Sequence, residues 1–267
     1  MHEFDFILNN TETACNLCER EFTHDEIINI IHSDNDIEKQ ICILKLQGVN
    51  SQAEADLLVF NLTNHHGIIR ESVAIKLNEL MCVSRVWRLE EADECQRRRA
   101  KPVDGDVRVL EQNSTGANFC QFFQTEKILN TLLDAIIDIN PNICRLVIES
   151  LAGINDKKSF FGKLYNRVVE EINDALAMNI RNKGYAYSRK VFKIFWYMEA
   201  VSELGYFEDE AKIQELLLKT YKFKDYTIRE KSAKLAALVL GKYEITDIVN
   251  TLKNDENYFV RFRFIQN

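Results

Sequence analysis

Apolar residues recur along most of this chain at intervals of three and four, the spacing that lays them on one face of an α-helix. Thr23 followed by Glu26 has the form of a capping box, in which a hydroxyl and a carboxylate satisfy two free backbone donors, and it predicts a helix over 24–32. Ile37, Ile41, Cys42 and Leu44 predict a second helix over 36–47. Ser51 with Glu54 repeats the capping signal before a third over 53–61, and Ile69, Val73, Leu77 and Leu80 share one face of a fourth over 67–81. Downstream, Phe160, Phe161, Leu164, Val168, Ile172 and Leu176 trace one long amphipathic helix. The stretch VFKIFWYM from Val191, inside a helix over 187–204, is apolar nearly all round and predicts a helix covered on several sides. Helices over 208–220, 227–240 and 246–252 complete the series. Short helices joined by short polar loops must pack antiparallel, so the predicted fold class is all-α, built of helix pairs.

A spaced motif runs through these helices. IIRESVAIKLNEL from Ile68 and TIREKSAKLAALV from Thr227 share Ile-Arg-Glu and place Ala74 and Ala233 four residues after Arg70 and Arg229, where a small side chain lets neighbouring helices approach. Weaker copies put Lys39, Arg145, Arg189 and Arg261 in the equivalent place, and DENYFVRF from Asp255 forms another such turn. Self-similarity at this period signals stacked units that bury their apolar faces only against each other. The motif resembles the second helix of a HEAT repeat, with its Asp-containing turn, Val-Arg, and downstream Ala and Leu. The resemblance covers most of the chain outside residues 83–119 and implies a right-handed α-solenoid of about five to six stacked antiparallel helix pairs, with the Arg and Lys series tying neighbouring pairs together.

The markers stand 31 residues apart (39 to 70), then 75 (70 to 145), 44 (145 to 189), 40 (189 to 229) and 32 (229 to 261). Excising residues 83–119 reduces the deviant 75 to 38 and restores the period. That segment holds 6 Arg, 1 Lys and no Ile, against 9 Arg and 18 Lys elsewhere, and it brings Pro102, Gly105, Gly116 and the polar run QNSTGAN. It reads as a mostly irregular insertion in a single domain spanning 1–267, with the flanking helices extending toward Val86, Trp87 and Leu89 on one side and Phe119 to Phe123 on the other.

Composition sharpens this picture. Only 2 Pro and 9 Gly in 267 residues disfavour folds made of many tight turns. A formal charge of -7 repels phosphate backbones unless positive charge is gathered on one face, and so argues against a nucleic-acid partner. Seven Cys without framework spacing suit reduced thiols, no apolar run approaches a membrane span, and Met1 to Asn10 lacks a leader pattern. Together these lead to the expectation of a cytoplasmic protein without a membrane partner.

The strongest chemical spacing is Cys15-x2-Cys18-x5-His24 with His32 beyond, because zinc takes four ligands of these kinds. Geometry opposes it: eight residues of helix at 1.5 Å each separate His24 and His32 by about 12 Å, too far to share one ion. A fourth ligand would have to come from a place such as His65 or His66. Free thiols on a short N-terminal capping helix are the preferred reading, with no metal and no cofactor. The run Arg97 to Lys101 sits in a segment of seven acids and seven bases and reads as solvated loop. Trp196, among Phe192, Phe195 and Tyr197, reads as helix core rather than as a stacking platform for bases. The carboxylates are scattered, and the chain has no Gly-rich phosphate loop, nucleophile elbow or HExxH, so no catalytic residues are assigned.

The function expected from these features is a non-catalytic interaction scaffold that takes a protein or peptide partner on a solenoid surface. Two alternatives rest on the resemblance alone. One is a nucleic-acid enzyme similar to the HEAT-like DNA alkylation-repair glycosylases, and the other a cofactor-attachment helper similar to the HEAT-like bilin lyases. FVRFRFIQN after Asn257 also leaves Phe259, Phe262 and Phe264 with little surface to pack on, which implies that the array continues or meets another chain.

Overall fold

Side-chain caps fix where most helices of this protein begin. The computed structural model describes residues 15–81, 120–178 and 184–265. Among them Thr23, Asn35, Ser51, Asn140, Asp156, Asp209, Asp225 and Asn257 each accept a hydrogen bond from a backbone N–H in the first turn of the helix that follows. At Thr23 the capping box is complete, with the Glu26 carboxylate accepting the Thr23 N–H at 2.8 Å. The helices are α1 (His24–Ile31), α2 (Asp36–Lys45), α3 (Gln52–Phe60), α4 (Gly67–Met81), α5 (Glu126–Ala135), α6 (Pro141–Ser150), α7 (Lys157–Ala177), α8 (Tyr185–Leu204), α9 (Glu210–Thr220), α10 (Tyr226–Leu238), α11 (Thr246–Lys253) and α12 (Tyr258–Phe262). Short 3-10 turns cover Asn61–Thr63, Cys120–Phe123 and Leu151–Gly153. The described residues contain no strand, only an isolated bridge between Leu240 and Tyr243, so the fold is all-α as the periodicity predicts. None of the described helices is long and apolar enough to cross a membrane. The predicted insertion at 83–119, with Trp87 and Arg97 to Lys101, lies outside the described residues.

The chain divides into two compact units, one of Met1–Ala135 with Asn140–Ile154 and one of Ile136–Ile139 with Asn155–Asn267. In the first, α2 packs on α4 and α4 on α6, while α1, α3 and α5 form a second row in which α3 touches both neighbours. Ile31, Ile43, Leu58, Ile69, Val73, Ala74, Leu77, Leu132, Ile143 and Val147 are fully buried between the rows. Each large side chain among them contributes about 1.5–3 kcal/mol by leaving water. The buried face of α2 differs from the predicted stripe: Leu44 is exposed, and Lys39, Ile41, Cys42 and Ile43 turn inward. The helix also stops at Lys45, because Leu46 turns extended and itself enters the core. Gly153 is a closure point. A Cβ there would lie 2.4 Å from the Met81 carbonyl oxygen, so only glycine lets the turn after α6 meet the end of α4.

In the second unit α7 and α8, of 21 and 20 residues, pack along each other. Then α8 packs on α10 and α10 on α12, with α9 set against α7 and α10. Ile172, Ile194, Met198, Val201, Leu216, Leu235 and Val260 are fully buried here. Leu176, placed on the apolar face by its spacing, is exposed on the last turn of α7. Gly205, at φ +66°, ends α8 in the left-handed conformation that glycine adopts without a Cβ penalty.

Candidate functional site

The sequence-predicted metal residues do not converge. Residues 15–19 form a turn of helix on which Cys15 and Cys18 are exposed free thiols, and Cys42 and Cys144 are buried. His24 faces Glu54, with 2.9 Å between Nε2 and the carboxylate, and His66 faces Asp36 at the same distance. Lys45 pins the short helix from the other side by donating to the Cys18 and Arg20 carbonyls at 2.7 and 2.6 Å. Among the described residues no three His, Cys, Asp or Glu side chains gather closely enough to hold an ion.

The basic series fares differently at each position. Arg70, Arg229 and Arg261 are each the fourth residue of their helix, and each donates through one terminal nitrogen to two carbonyls of the turn before it. These are Asn64 and His65 at 2.8 and 3.2 Å, Phe223 and Lys224 at 2.9 and 3.1 Å, and Asp255 and Glu256 at 2.6 and 2.9 Å. Arg229 also reaches forward, its Nε and second terminal nitrogen donating to the two Asp255 oxygens at 2.6 and 3.1 Å. Burial works against the Asp255 charge, but the Arg229 pair overrides it and holds the carboxyl below its ordinary range. Lys39 is likewise the fourth residue of α2, whereas Arg145 and Arg189 are the fifth residues of α6 and α8. One residue of helix rotates a side chain by about 100°. Arg145 and Arg189 are accordingly exposed, and the predicted equivalence fails for both. Ala74 and Ala233, four residues beyond Arg70 and Arg229, are fully buried, as the close approach of helices requires.

The most built surface of the second unit lies on α8, α10 and α12. Tyr197 is buried, but Phe192, Phe195 and Trp196 are only half-buried, which corrects the reading of this cluster as core. With α7 on one side of α8 and α10 on another, the apolar residues that circle α8 keep an uncovered third face. Phe195 and Trp196 meet edge to face, their rings 5.2 Å apart at 88°, and the Lys231 ammonium sits 4.3 Å from the centre of the Phe195 ring. Beside them opens a groove of about 480 Å³ lined by Phe195, Tyr226, Glu230, Phe259, Phe262 and Arg263. Tyr226 is 44% exposed and Phe259 60%, a high level for aromatic side chains that share one concavity.

Charges along this face are paired across helices in sequence. From α7, Glu171 and Asp174 meet Lys190 of α8 at 2.7 Å each, and Glu171 also meets Lys193 at 2.7 Å. From α8, Glu199 and Glu203 take Lys234 of α10 at 2.7 and 2.8 Å, and Glu199 takes Lys231 at 2.9 Å. From α10, Glu230 receives Arg263 and lies 3.2 Å from Lys231. Burial pushes the Glu199 carboxyl up, and Lys231 and Lys234 more than reverse this, leaving it below its ordinary value. Burial likewise works against the Lys234 charge, but Glu199 and Glu203 raise the ammonium above its usual range. Elsewhere in this unit burial, with a hydrogen bond to Glu215, pushes the Tyr165 phenol up to about 12, which keeps it protonated. The sequence signal for the groove was present in Tyr226 and FVRFRF, yet only spatial neighbourhood unites residues more than thirty apart. No protein-family model matches the chain, and no curated protein matches it in sequence.

Proposed function

We propose that this protein is a non-catalytic interaction scaffold, a HEAT-like α-solenoid that holds a protein or peptide partner on the α8, α10 and α12 face. The observation that carries the reading is the groove itself: four aromatic side chains, Phe195, Tyr226, Phe259 and Phe262, converge on a concavity of about 480 Å³ whose bordering charges are already paired. Aromatic anchors with neutralised surroundings suit an apolar peptide side chain, since rigid rings give large contact area at low entropic cost. The same pairing counts against a nucleic-acid ligand, because Lys190, Lys193, Lys231, Lys234 and Arg263 are each engaged by carboxylates. The ordered packing of α2, α4 and α6, and of α8, α10 and α12, together with the shared place of Arg70, Arg229 and Arg261, supports the solenoid reading.

The test uses the exposed rings, whose removal leaves the core intact. A photoreactive residue at Phe259 should cross-link one discrete protein in the native host, and a Tyr226→Ser, Phe259→Ser variant with unchanged circular dichroism should fail to retain it. Retention of the same protein by the double variant would overturn the assignment of this face. Salt-sensitive binding of single- or double-stranded DNA by the purified chain would instead favour the nucleic-acid alternative.

A further inference from the structure

A second concavity, in the first unit, has the chemistry of a binding site for an organic carboxylate. It measures about 450 Å³, within the range of small-ligand sites, and its walls are Ile31, Ala53, Leu57 and Phe60, with Lys39 on one side and Asp56 on another. Lys39 projects from α2 and is only 8% exposed. The fourth-position arginines Arg70, Arg229 and Arg261 each satisfy their charge on carbonyls of the preceding turn. Lys39 holds the same helix position, yet among the described residues its ammonium makes no hydrogen bond or ion pair. A lysine buried along its stem, with no protein acceptor for its ammonium, leaves all three donors of that ammonium for solvent or a ligand. Two other polar groups of the concavity are already engaged, and His32 and Asp34 also line it. Asp56 accepts from Gln52 at 2.8 Å and from Lys127 at 3.4 Å, and Asn61 donates to the Leu57 carbonyl at 2.9 Å.

We infer that this concavity binds a monovalent carboxylate joined to an apolar body, with the carboxylate on Lys39 and the apolar part against Leu57 and Phe60. A single ammonium with three donors matches one carboxylate. Asp34 and Asp56, which also line the concavity, repel a dianion about twice as strongly as a monoanion, so a single carboxylate is favoured over phosphate. Phe60, 64% exposed at the wall, offers a ring face to the apolar body. The carboxylate can belong to a free small acid or to an acidic side chain of a peptide, and the two sources share this chemistry. The site lies in a different unit from the aromatic groove, so the two assignments stand or fall separately.

The full chain, isotopically labelled, would be titrated with 3-phenylpropionate, with the neutral 3-phenylpropanamide, and with the capped dipeptide acetyl-Glu-Leu-amide, following backbone amide shifts in α2 and α3. Saturable binding is expected for the two carboxylates, with the amide weaker by about tenfold or more, a difference of about 1.4 kcal/mol. The tighter of the two carboxylates identifies the source. Lys39→Met, which keeps the stem and removes the charge, should abolish the preference for carboxylate over amide, and Lys39→Arg should retain it. The melting temperature of Lys39→Met adds an independent readout. It should stay level or rise if the ammonium is held for a ligand, and fall if the ammonium serves the fold. Equal binding of acid and amide, absence of saturation, an unchanged preference in Lys39→Met, or a lowered melting temperature of that variant would each overturn the inference.

Discussion

The helices that pack in order within each of the two units are joined by different chemistry. In the first, α2, α4 and α6 meet largely through apolar side chains, with one exposed imidazole–carboxylate pair, His66 and Asp36, between α2 and the turn before α4, and the polar links between α4 and the α6 region pair an amide with a carboxylate. Asn78 donates to Glu149 at 2.8 Å and Asn140 to Glu71 at 3.3 Å. In the second, the packed helices α7, α8 and α10 and the α12 end are linked by opposite charges, most of them only partly exposed: Glu199 with Lys231 and Lys234, Glu230 with Arg263, Arg229 with Asp255. An amide–carboxylate hydrogen bond changes little between pH 5 and 9, whereas an ion pair adds stability only while both partners are charged. The units should therefore answer differently to acid and to charge removal, and hydrogen exchange on the intact chain can read each unit separately.

The largest expected effect is in the second unit. Asp255→Ala removes the bidentate partner of the largely shielded Arg229 and should destabilise that unit by about 2–3 kcal/mol, less than a fully buried pair because the Phe223 and Lys224 carbonyls and Glu256 remain. Equal loss of protection in both units would show that they unfold as one and dissolve the comparison. Next is Gly153→Ala in the first unit. Its Cβ cannot coexist with the Met81 carbonyl oxygen at 2.4 Å, and the forced shift should cost about 1–3 kcal/mol, seen as a lower melting temperature with faster exchange in α4 and α6.

Acid gives the third contrast. The folded-state pKa values of Glu199 and Asp255 lie below their ordinary 4.5 and 3.8. Their contribution is thus complete above those ordinary values and is lost as pH falls through the lower folded-state values. Lowering pH from 5 to 3 should accelerate exchange in α8, α10 and α12 before α2 and α4, and the reverse order would refute the role given to the ladder. At the alkaline end the raised Lys190 and Lys234 keep their contribution through their ordinary 10.5 and lose it only above that. The smallest effect belongs to the exposed pair of Arg20 and Glu26, 3.0 Å apart with both side chains about half exposed. Arg20→Ala should leave the melting temperature indistinguishable from that of the parent protein.

Local signals in the sequence located most helices. The span 67–81 coincides with α4, and the Thr23 capping box sets the start of α1, because both depend on contacts within a few residues. Helices α5 and α6 are absent from the predicted set although Ile128, Leu129, Leu132 and Leu133 share a face and Asn140–Pro141 is a capped helix start. The predicted equivalence of Arg145 and Arg189 failed because marker spacing locates a motif only to within a residue or two, while side-chain direction changes with each one. The aromatic groove and the Lys39 concavity were beyond sequence reading for another reason. Each is formed by helices that are neighbours only after packing, and a largely apolar octet such as VFKIFWYM does not reveal which of its faces will stay uncovered.

Arg229 holds a mechanical consequence. Its planar guanidinium grips the turn behind it through the Phe223 and Lys224 carbonyls and the turn ahead through Asp255. The distance between those two turns is thereby set by the width of one rigid group rather than by soft apolar contact. A lysine, with a single tetrahedral head, could not span both. Under tension along the α10 to α12 direction this link would act as a stiff rung that resists small extensions and then releases abruptly, while the amide-linked helices of the first unit would yield gradually.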